Sequence, residues 1–285
     1  MLTKMRTRKT QLQDFISGWN ISQKCDFIFS GNRVANRNGQ LVPEIVMVQG
    51  TEWIDSIDEG ATVYCKTDML PFLRRHLYES GKPIHLITHD SDFTINKDVF
   101  SSLNDFTDIL SWKGCNIDYQ HDKLKSIPLG LANDYCPITL KAPDIMYAEE
   151  VEPRKLLYIN FNTMTNPQER EPMYHKFKTS NSVTVRNPNQ IEDNGEYIED
   201  LTDHKFSICP RGNGIDTHRM WECLYLGIIP IVKDCVNVRF FEDLPILVVE
   251  DYMDLVGEDK YLEDIYTEYQ SKDWNLDKLT TGYWV

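Results

Sequence analysis

The chain has 285 residues, of which 41% are hydrophobic, and a formal net charge of -14 at pH 7. This length can bury the core of one or two domains. The acidic balance argues against nonspecific nucleic-acid binding, which uses a basic surface, although it leaves room for a local basic cleft. The sequence holds no apolar run of about 18 residues, so it predicts no membrane span.

The N-terminal run Met1 to Trp19 is basic but lacks the apolar centre of a signal peptide. We therefore expect an ordinary first helix there. The seven cysteines are scattered along the chain and form no C-x-x-C pair. This pattern indicates free thiols in a reducing compartment. The sequence thus predicts a cytoplasmic protein, located in the host cytoplasm if a phage encodes it.

Short β-rich runs and one helical run alternate in the first half of the chain. Strands are predicted at Cys25–Ser30, Glu44–Gly50, Ala61–Lys66, Pro83–Asp90 and Leu124–Asn133. A helix is predicted to begin at Thr67 or Asp68 and to stop at Gly81, with Pro71 in its first turn, where a missing N–H does least harm. A strand, a helix and a second strand in this order are typical of a parallel sheet.

The second half repeats this alternation after a linker or inter-domain helix at residues 136–154. Strands are predicted at Lys155–Phe161, Ser182–Asn187, Lys205–Pro210, Ile228–Asp234 and Ile246–Asp251. Helices are predicted near 170–178, at 217–226 and from 261 onward. We therefore expect two α/β domains, residues 1–145 and residues 146–285. Ligands of such folds bind beyond the carboxyl ends of the strands, which here means the cleft between the halves.

The run CPRGNGIDTHRMWECLYLG, from Cys209 to Gly227, joins a predicted strand to a predicted helix. Gly212 and Gly214 allow the backbone to approach a ligand closely. A helix N-terminus offers free N–H groups and a partial positive charge, which suits phosphate. Arg211 and Arg219 add bidentate donors. The run therefore predicts a phosphate-binding loop.

Within this helix Glu222 shares a face with His218 and Arg219. A carboxylate in that place can accept hydrogen bonds from the two vicinal hydroxyls of a ribose. Trp221 and Leu224 are interpreted as core residues. A metal at His218 is disfavoured because no second ligand stands at ligand spacing in the helix, and the missing G-K-[ST] excludes a standard P-loop.

The segment FSICPRGNGIDTHRMWECLYLGIIPIV, from Phe206 to Val232, resembles the C-terminal signature of exostosin-like glycosyltransferases, C-P-R-G-x-x-x-D-[ST]-x-R-x-[WY]-E-x-L-x-x-G. Weaker similarities are found at Leu156–Arg170 and at Trp112–Leu131. Together the three segments cover about half of the chain. The first 60 residues carry no such resemblance.

The resemblance implies a GT-B architecture, in which two Rossmann-like domains face a central cleft and the C-terminal domain holds a nucleotide-sugar. It implies that the donor-binding residues are Arg211, Gly212, Asn213, Gly214 and Asp216 at the diphosphate, Thr217, His218 and Arg219 at the helix start, Glu222 at the ribose, and Asn162, Thr165, Asn166 and Arg170 in the facing loop. GT-B enzymes generally use no metal, because the helix dipole and basic side chains stabilise the leaving diphosphate. We therefore expect no metal and no cofactor besides a co-substrate, a UDP-linked sugar.

Glycosyl transfer with inversion requires a base that takes the proton of the acceptor hydroxyl. The run LITHDSDF places two carboxylates directly after a predicted strand: Asp92 is the first candidate and Asp90 the second. A turn with capping carboxylates is the alternative interpretation. His89 in the same run could also be the base, and the reserve candidates are Asp26, Glu52 and His121. An enzyme that retains configuration would need no such base.

The leading hypothesis is a metal-independent hexosyl- or pentosyltransferase. Its acceptor is either a cytosolic glycan precursor or a hydroxymethylated base of phage DNA. DNA would require a basic groove, and the candidate residues for it are Lys66, Arg74, Arg75, Lys113, Lys123 and Lys125. The alternative is a non-catalytic module that binds a nucleotide-sugar or a glycan. A phosphate-binding regulatory protein of Rossmann type is a third hypothesis, which the missing G-x-G-x-x-G disfavours.

Overall fold

The computed structural model describes residues 11–35, 41–48, 57–105, 107–133, 136, 139–188 and 191–285, and in 31–35 and 41–48 it describes the backbone alone. These residues divide into two compact units. The N-terminal unit comprises Gly18–Leu129, and the C-terminal unit comprises Gly130–Trp284 together with the described residues up to Ser17. Each unit is built around its own sheet.

The N-terminal unit contains a six-stranded sheet with the order β2-β1-β3-β4-β5-β6. Its strands are β1 Phe27–Ala35, β2 Leu41–Val48, β3 Thr62–Lys66, β4 Ile84–His89, β5 Ile109–Gly114 and β6 Leu124–Ser126. The edge strand β2 is antiparallel to β1, and the other neighbours are parallel. Its helices are α1 Gly18–Ser22, α2 Leu70–Ser80 and α3 Lys97–Asn104.

The predicted β-α-β unit is confirmed, because β3 and β4 are parallel neighbours with α2 between them in the chain. Gly81 ends α2 with φ 60, the left-handed conformation that favours glycine. Strand β5 and helix α3 were not predicted from the sequence. Strand β5 carries Ser111 and Lys113 among its apolar residues, so it lacks the continuous apolar run that marks a strand buried in a parallel sheet.

The C-terminal unit contains a five-stranded, all-parallel sheet with the order β11-β10-β9-β7-β8. Its strands are β7 Lys155–Asn160, β8 Val183–Arg186, β9 His204–Ile208, β10 Ile229–Lys233 and β11 Leu247–Val249. Its helices are α4 Ala142–Tyr147, α5 Pro167–Phe177, α6 Asn194–Thr202, α7 His218–Leu226, α8 Asp259–Ser271 and α9 Thr281–Trp284. The chain runs from β7 outward to β8 and then returns across β7 to β9. The strand order therefore reverses between β7 and β9, and such a reversal is where doubly wound sheets bind ligands.

One face of this sheet packs against α5 and α8. The buried cluster on that face consists of strand residues, including Leu157, Phe206 and Ile231, with Met173 and Phe177 from α5. Alternate residues of each strand point to one side, so strands with buried residues at every second position form a continuous apolar layer. The α/β class and the parallel pairing of β9 with β10 agree with the sequence prediction.

The segment before Ser17 belongs to the C-terminal unit through hydrogen bonds to residues far along the chain. Ile16 N donates to Tyr225 Oη at 2.9 Å, and Leu131 N donates to Ile16 O at 2.7 Å. Thr281 Oγ1 donates to Phe15 O at 2.9 Å. The division of the chain by contacts therefore lies after Leu129, whereas the sequence-based division lies after residue 145. A 3-10 helix at Leu12–Asp14 occupies part of the run predicted as a first helix.

The seven cysteines are free thiols, as predicted, and five of them are buried. The core assignments in α7 are also confirmed, because Trp221 and Leu224 are both fully buried. None of the described helices combines the length and the apolar character needed to cross a membrane.

Candidate functional site

Two loops leave the carboxyl ends of β7 and β9, the strands on either side of the reversal. Residues 161–166 connect β7 to α5, and residues 209–217 connect β9 to α7. Because parallel strands end at the same edge of a sheet, these loops lie side by side. The structure thus brings the sequence-predicted donor residues together in one unit, at one sheet edge.

Arg170 on α5 fastens the two loops to each other. Its Nη1 donates to Asn162 O at 2.9 Å and also to Thr165 Oγ1 in the first loop. Its Nε donates to Arg211 O at 2.9 Å, and its Nη2 donates to Pro210 O at 2.8 Å in the second loop. The side chain is only 8% exposed. Arg170, predicted as a phosphate or sugar ligand, therefore acts here as a clamp between backbone segments.

The burial of the clamp affects the ionisation of its guanidinium. Burial, and next the nearby guanidinium of Arg219, lower the pKa of Arg170 to about 10, whereas the nearby carboxylate of Glu169 acts in the opposite direction. Arg170 is therefore still charged at neutral pH, with a second guanidinium and a carboxylate in its neighbourhood.

The β9–α7 loop is shaped from inside by Asp216. Its Oδ1 accepts hydrogen bonds from Thr217 N at 2.8 Å and from the indole Nε1 of Trp221 at 2.9 Å. A Cβ added to Gly212 would stand 3.2 Å from Arg170 Nη2, so a larger residue would press on the clamp. Asp216 is buried beneath the loop, and its predicted contact with a diphosphate stays a prediction.

Helix α7 begins at this edge of the sheet without a side-chain cap. Thr217 is the N-cap residue, with extended backbone at φ -132 and ψ 142, and its side chain makes no capping hydrogen bond. The first-turn N–H groups of a helix need an acceptor, and a ligand anion can supply one. His218 Nδ1 lies 2.8 Å from Gly130 O. Since a carbonyl only accepts, Nδ1 carries a proton and Nε2 is the acceptor of the neutral ring.

Arg219 holds its guanidinium at the carboxyl end of β7. Its Nη1 donates to Asn160 O at 2.5 Å, and its guanidinium carbon lies 4.8 Å from the ring centre of Tyr197 on α6. Its Nε is 3.7 Å from Glu222 Oε2. Burial lowers the pKa of Arg219, but Tyr197 and Glu222 more than offset this and raise it above the ordinary value. The side chain as a whole is 21% exposed, whereas its Nε is buried.

Glu222, the predicted ribose ligand, is 2% exposed and is engaged inside the protein. Its Oε2 accepts from Tyr197 Oη at 2.7 Å, and its Oε1 accepts from Leu140 N at 3.4 Å. In this arrangement Glu222 supports the ring on which Arg219 rests. The ribose assignment stays a prediction. Sequence reasoning missed Tyr197, whose i, i+4 spacing to the buried Leu201 marks it only as a core residue of α6.

The remaining predicted residues of the β7–α5 loop build the loop itself. Asn162 Oδ1 accepts from Met164 N at 2.9 Å, Thr165 Oγ1 donates to Asn162 O at 3.0 Å, and Asn166 Nδ2 donates to Arg211 O at 3.4 Å. The Arg211 side chain is exposed, and no described residue forms an ion pair or hydrogen bond with it. Arg211 is therefore available to a ligand.

Asp90, a candidate base, lies in the N-terminal unit directly after β4. Its backbone adopts φ 56, a left-handed conformation that is uncommon outside glycine. Tyr64 Oη donates to its Oδ2 at 3.1 Å, and Nδ1 of the fully buried His89 is 3.4 Å from its Oδ1. His89 Nε2 lies 2.9 Å from Pro128 O, so that nitrogen carries a proton. Asp92, the first candidate, is exposed.

Two of the reserve bases and three of the predicted groove cations have local contacts within the N-terminal unit. Asp26 Oδ2 accepts from Thr62 N at 2.8 Å and His121 Nδ1 accepts from Lys123 N at 3.1 Å, whereas Glu52 lies outside the described residues. Three of the predicted groove cations have local partners, at Lys66–Asp68 (3.8 Å), Arg75–Glu79 (3.0 Å) and Lys123 Nζ–Ile109 O (2.7 Å). The DNA-binding groove stays a prediction.

Comparison with known proteins adds no family to this description, since no protein-family model matches the chain and no curated protein matches it. The family resemblance thus rests on the motif in β9, the following loop and α7. Within the described part of the chain, no group of three or more His, Cys, Asp or Glu residues is arranged to hold a metal. The expected independence from metal stays a prediction.

Proposed function

We propose that the chain is a glycosyltransferase of GT-B type that uses a nucleoside diphosphate sugar as donor, with UDP as the nucleotide. The observation that carries the proposal is the position of Arg219, fixed at the end of β7 beside the uncapped start of α7. Both features lie at the strand reversal where doubly wound sheets bind nucleotides. The same stretch of sequence resembles the exostosin-like signature, which supports the same activity independently of the geometry.

The donor diphosphate would lie against the first turn of α7. The N–H groups and dipole of that turn, with the charge of Arg219, provide donors for phosphate oxygens. Arg211 adds a second cation that no described residue neutralises. Because Arg219 is held by Asn160 O and Tyr197, it would need no reorganisation when charge develops on the leaving diphosphate.

The transfer step forms one bond and breaks one. The acceptor hydroxyl oxygen attacks the anomeric carbon, and the bond from that carbon to the β-phosphate oxygen breaks. UDP leaves with the electron pair of that bond, and the added negative charge is stabilised by the helix start and the arginines. With inversion, the acceptor proton passes to a base, for which Asp92 and Asp90 remain the candidates. A glycan precursor and a hydroxymethylated DNA base remain the candidate acceptors.

Isothermal titration of UDP into the wild-type chain and into Arg219→Gln tests the donor site. We expect the substitution to weaken UDP binding by about tenfold or more, because it removes a charge-assisted hydrogen bond. Arg239→Gln is the matched control, since Arg239 pairs with Asp234 at the surface and should leave UDP affinity unchanged. Circular dichroism verifies that both variants are folded. Equal UDP affinity in folded Arg219→Gln and wild type would refute this placement of the nucleotide.

Catalysis is tested separately with a panel of UDP-sugars, with EDTA present, by measuring release of UDP and by mass spectrometry of candidate acceptors. We expect turnover of at least one donor, reduced in Asp92→Asn or in Asp90→Asn. If UDP binds but no donor is hydrolysed or transferred, and both variants behave like wild type, the chain is the non-catalytic binding module instead.

A further inference from the structure

A second feature of the C-terminal unit is an open cavity of about 620 Å³ near the ends of β9 and β10. It is lined by the two loops, by the first turn of α5 and by the segment after β11: Thr165, Asn166, Gln168, Glu169, Pro172, Arg211, Gly212, Asn213, Lys233, Asp251 and Met253. Arg219 and Glu222 do not line it. The cavity therefore excludes the predicted nucleotide contacts on α7 but shares five lining residues with the predicted donor site: Thr165, Asn166, Arg211, Gly212 and Asn213.

The walls of the cavity are held rigidly by two buried residues. Arg170 ties Thr165 to the backbone of Arg211, as described above. Tyr252, which is 3% exposed, accepts from Lys233 N at 3.0 Å and donates to Cys209 O at 3.4 Å. The ends of β9 and β10 and the segment after β11 are thus joined through one phenol. A site whose supporting residues are fixed in this way loses little conformational entropy on binding.

Two cations from different elements line this cavity. Arg211 comes from the β9–α7 loop and Lys233 from the end of β10. Both residues are exposed, and no described residue forms an ion pair with either side chain. Among the described residues, no other arginine or lysine lines the cavity. Together they provide donors for one anionic group, such as phosphate.

Two carboxylates, those of Glu169 and Asp251, also line the cavity. Glu169 Oε1 is shielded from solvent and has no hydrogen-bond donor among the described residues. A shielded carboxylate oxygen without a donor costs free energy, and a ligand hydroxyl would supply that donor. Asp251 adds a second carboxylate, whose Oδ1 accepts from Met253 N at 3.0 Å. Cations for an anionic group and carboxylates for hydroxyls are the complementary groups of a sugar phosphate.

We propose that this cavity binds a sugar phosphate, with Arg211 and Lys233 on the phosphate and Glu169 on a sugar hydroxyl. This inference rests on the proposed function, because the cavity shares Arg211 with the proposed donor site. The sugar phosphate is either the glycosyl phosphate portion of the donor itself or a separate molecule of the same chemistry.

Isothermal titration with glucose 1-phosphate, glucose and inorganic phosphate tests the site. In the wild type, glucose 1-phosphate should bind more tightly than either fragment. Lys233→Gln should weaken glucose 1-phosphate and inorganic phosphate by about tenfold or more, since a charge-assisted contact is lost. Glu169→Gln should weaken glucose 1-phosphate but leave inorganic phosphate unchanged. Lys176→Gln, an exposed lysine on α5 outside the cavity lining, should change neither affinity.

A titration of glucose 1-phosphate in saturating UDP separates the two sources of the ligand. If UDP prevents glucose 1-phosphate from binding, the cavity holds the glycosyl phosphate portion of the donor. If both molecules bind at the same time, the cavity holds a separate sugar phosphate. The proposal is overturned if the wild type binds no glucose 1-phosphate, or if Lys233→Gln and Glu169→Gln bind it as the wild type does. UDP affinity is measured on the same two variants, so a failure of this site is distinguished from a failure of the nucleotide site.

Discussion

At the scale of single residues, Arg170 shows how a charged side chain can hold two loops of a site together; its predicted contact with a ligand stays a prediction. All four of its hydrogen bonds end on loop backbone or on Thr165, and two of the acceptors belong to each loop. Backbone carbonyls at the end of a strand have no partner within the sheet, so a buried guanidinium with five N–H groups is well suited to satisfy several of them at once.

We expect Arg170→Ala to lower the free energy of unfolding by about 3 kcal/mol, because it leaves several buried carbonyl groups without donors. Urea unfolding monitored by circular dichroism measures this change. Arg239→Ala removes an exposed arginine and should have a much smaller effect. If the two variants were equally stable, Arg170 would not be the clamp between the loops.

Glu222 contacts residues that are distant in the sequence and helps to position Arg219. The sequence marks it as a carboxylate on the ligand side of α7, yet the two groups that donate hydrogen bonds to it are 25 and 82 residues away. In the proposed donor site, the residue of that turn that would meet the diphosphate is Arg219, which Tyr197 and Glu222 hold in place. A side chain that positions another one is not visible in a local motif.

At the scale of elements, the open start of α7 affects both the stability of the helix and its capacity to bind an anion. Its first turn has no side-chain cap from Thr217, which costs helix stability, and the same open donors suit an anion. The end of the helix, in contrast, is well capped, since Gly227 has φ 80 and its N–H bonds to Cys223 O and Leu224 O. The helix is thus secured at the end away from the proposed ligand.

Thr217→Asp should change helix stability and UDP affinity in opposite directions. An aspartate at the N-cap should raise the free energy of unfolding by about 0.5–1 kcal/mol, because it caps the first turn and complements the helix dipole. It should also weaken UDP binding by about tenfold, because it places a negative charge where the diphosphate would lie. Thermal unfolding and titration of UDP measure the two effects.

The neutral cap Thr217→Asn serves as the matched control for this prediction. It should stabilise the helix in a similar way but weaken UDP binding less, since it adds no charge. Undiminished UDP affinity in Thr217→Asp would show that the nucleotide does not approach this helix start.

At the scale of the whole molecule, buried thiols and phenols occur in both units. Burial raises the pKa of the Cys25 thiol from 9.0 to about 12 and raises that of Cys65 well above its ordinary value. Burial also raises the pKa values of Tyr197 and Tyr252 well above the ordinary value for tyrosine. All four groups are therefore protonated in the folded chain at a pH where the unfolded chain would release their protons.

The chain should consequently lose stability in alkali. A group whose folded pKa is raised contributes its full stability below the unfolded pKa and loses it as the pH rises toward the folded value. For Cys25 this window extends from pH 9 to about 12, with a slope of about 1.4 kcal/mol per pH unit. Urea unfolding at pH 8, 9 and 10 measures the decline, which Cys25→Ala should make shallower. A decline of the same slope in that variant would contradict the assignment.

The sequence by itself determined the local features of this protein. Alternating apolar residues, turn glycines and the order of strand and helix predicted the parallel β3–β4 and β9–β10 pairs, because burial of one face imposes a fixed period on neighbouring residues. The same reasoning placed the phosphate-binding candidates on one loop and helix start. It failed for β5, whose polar residues break the apolar run.

Only the tertiary structure decided which side chains build the site and which remain open to a ligand. Arg170 meets Pro210 and Arg211, Tyr197 meets Arg219, and Ile16 meets Tyr225 across large separations in the chain. Lys233 shares a cavity with Arg211 although no motif joins them. The physical reason is that hydrogen bonding and charge act over a few ångströms in space. Sequence patterns encode which face of an element is buried, and the packing of the elements decides which polar groups then meet.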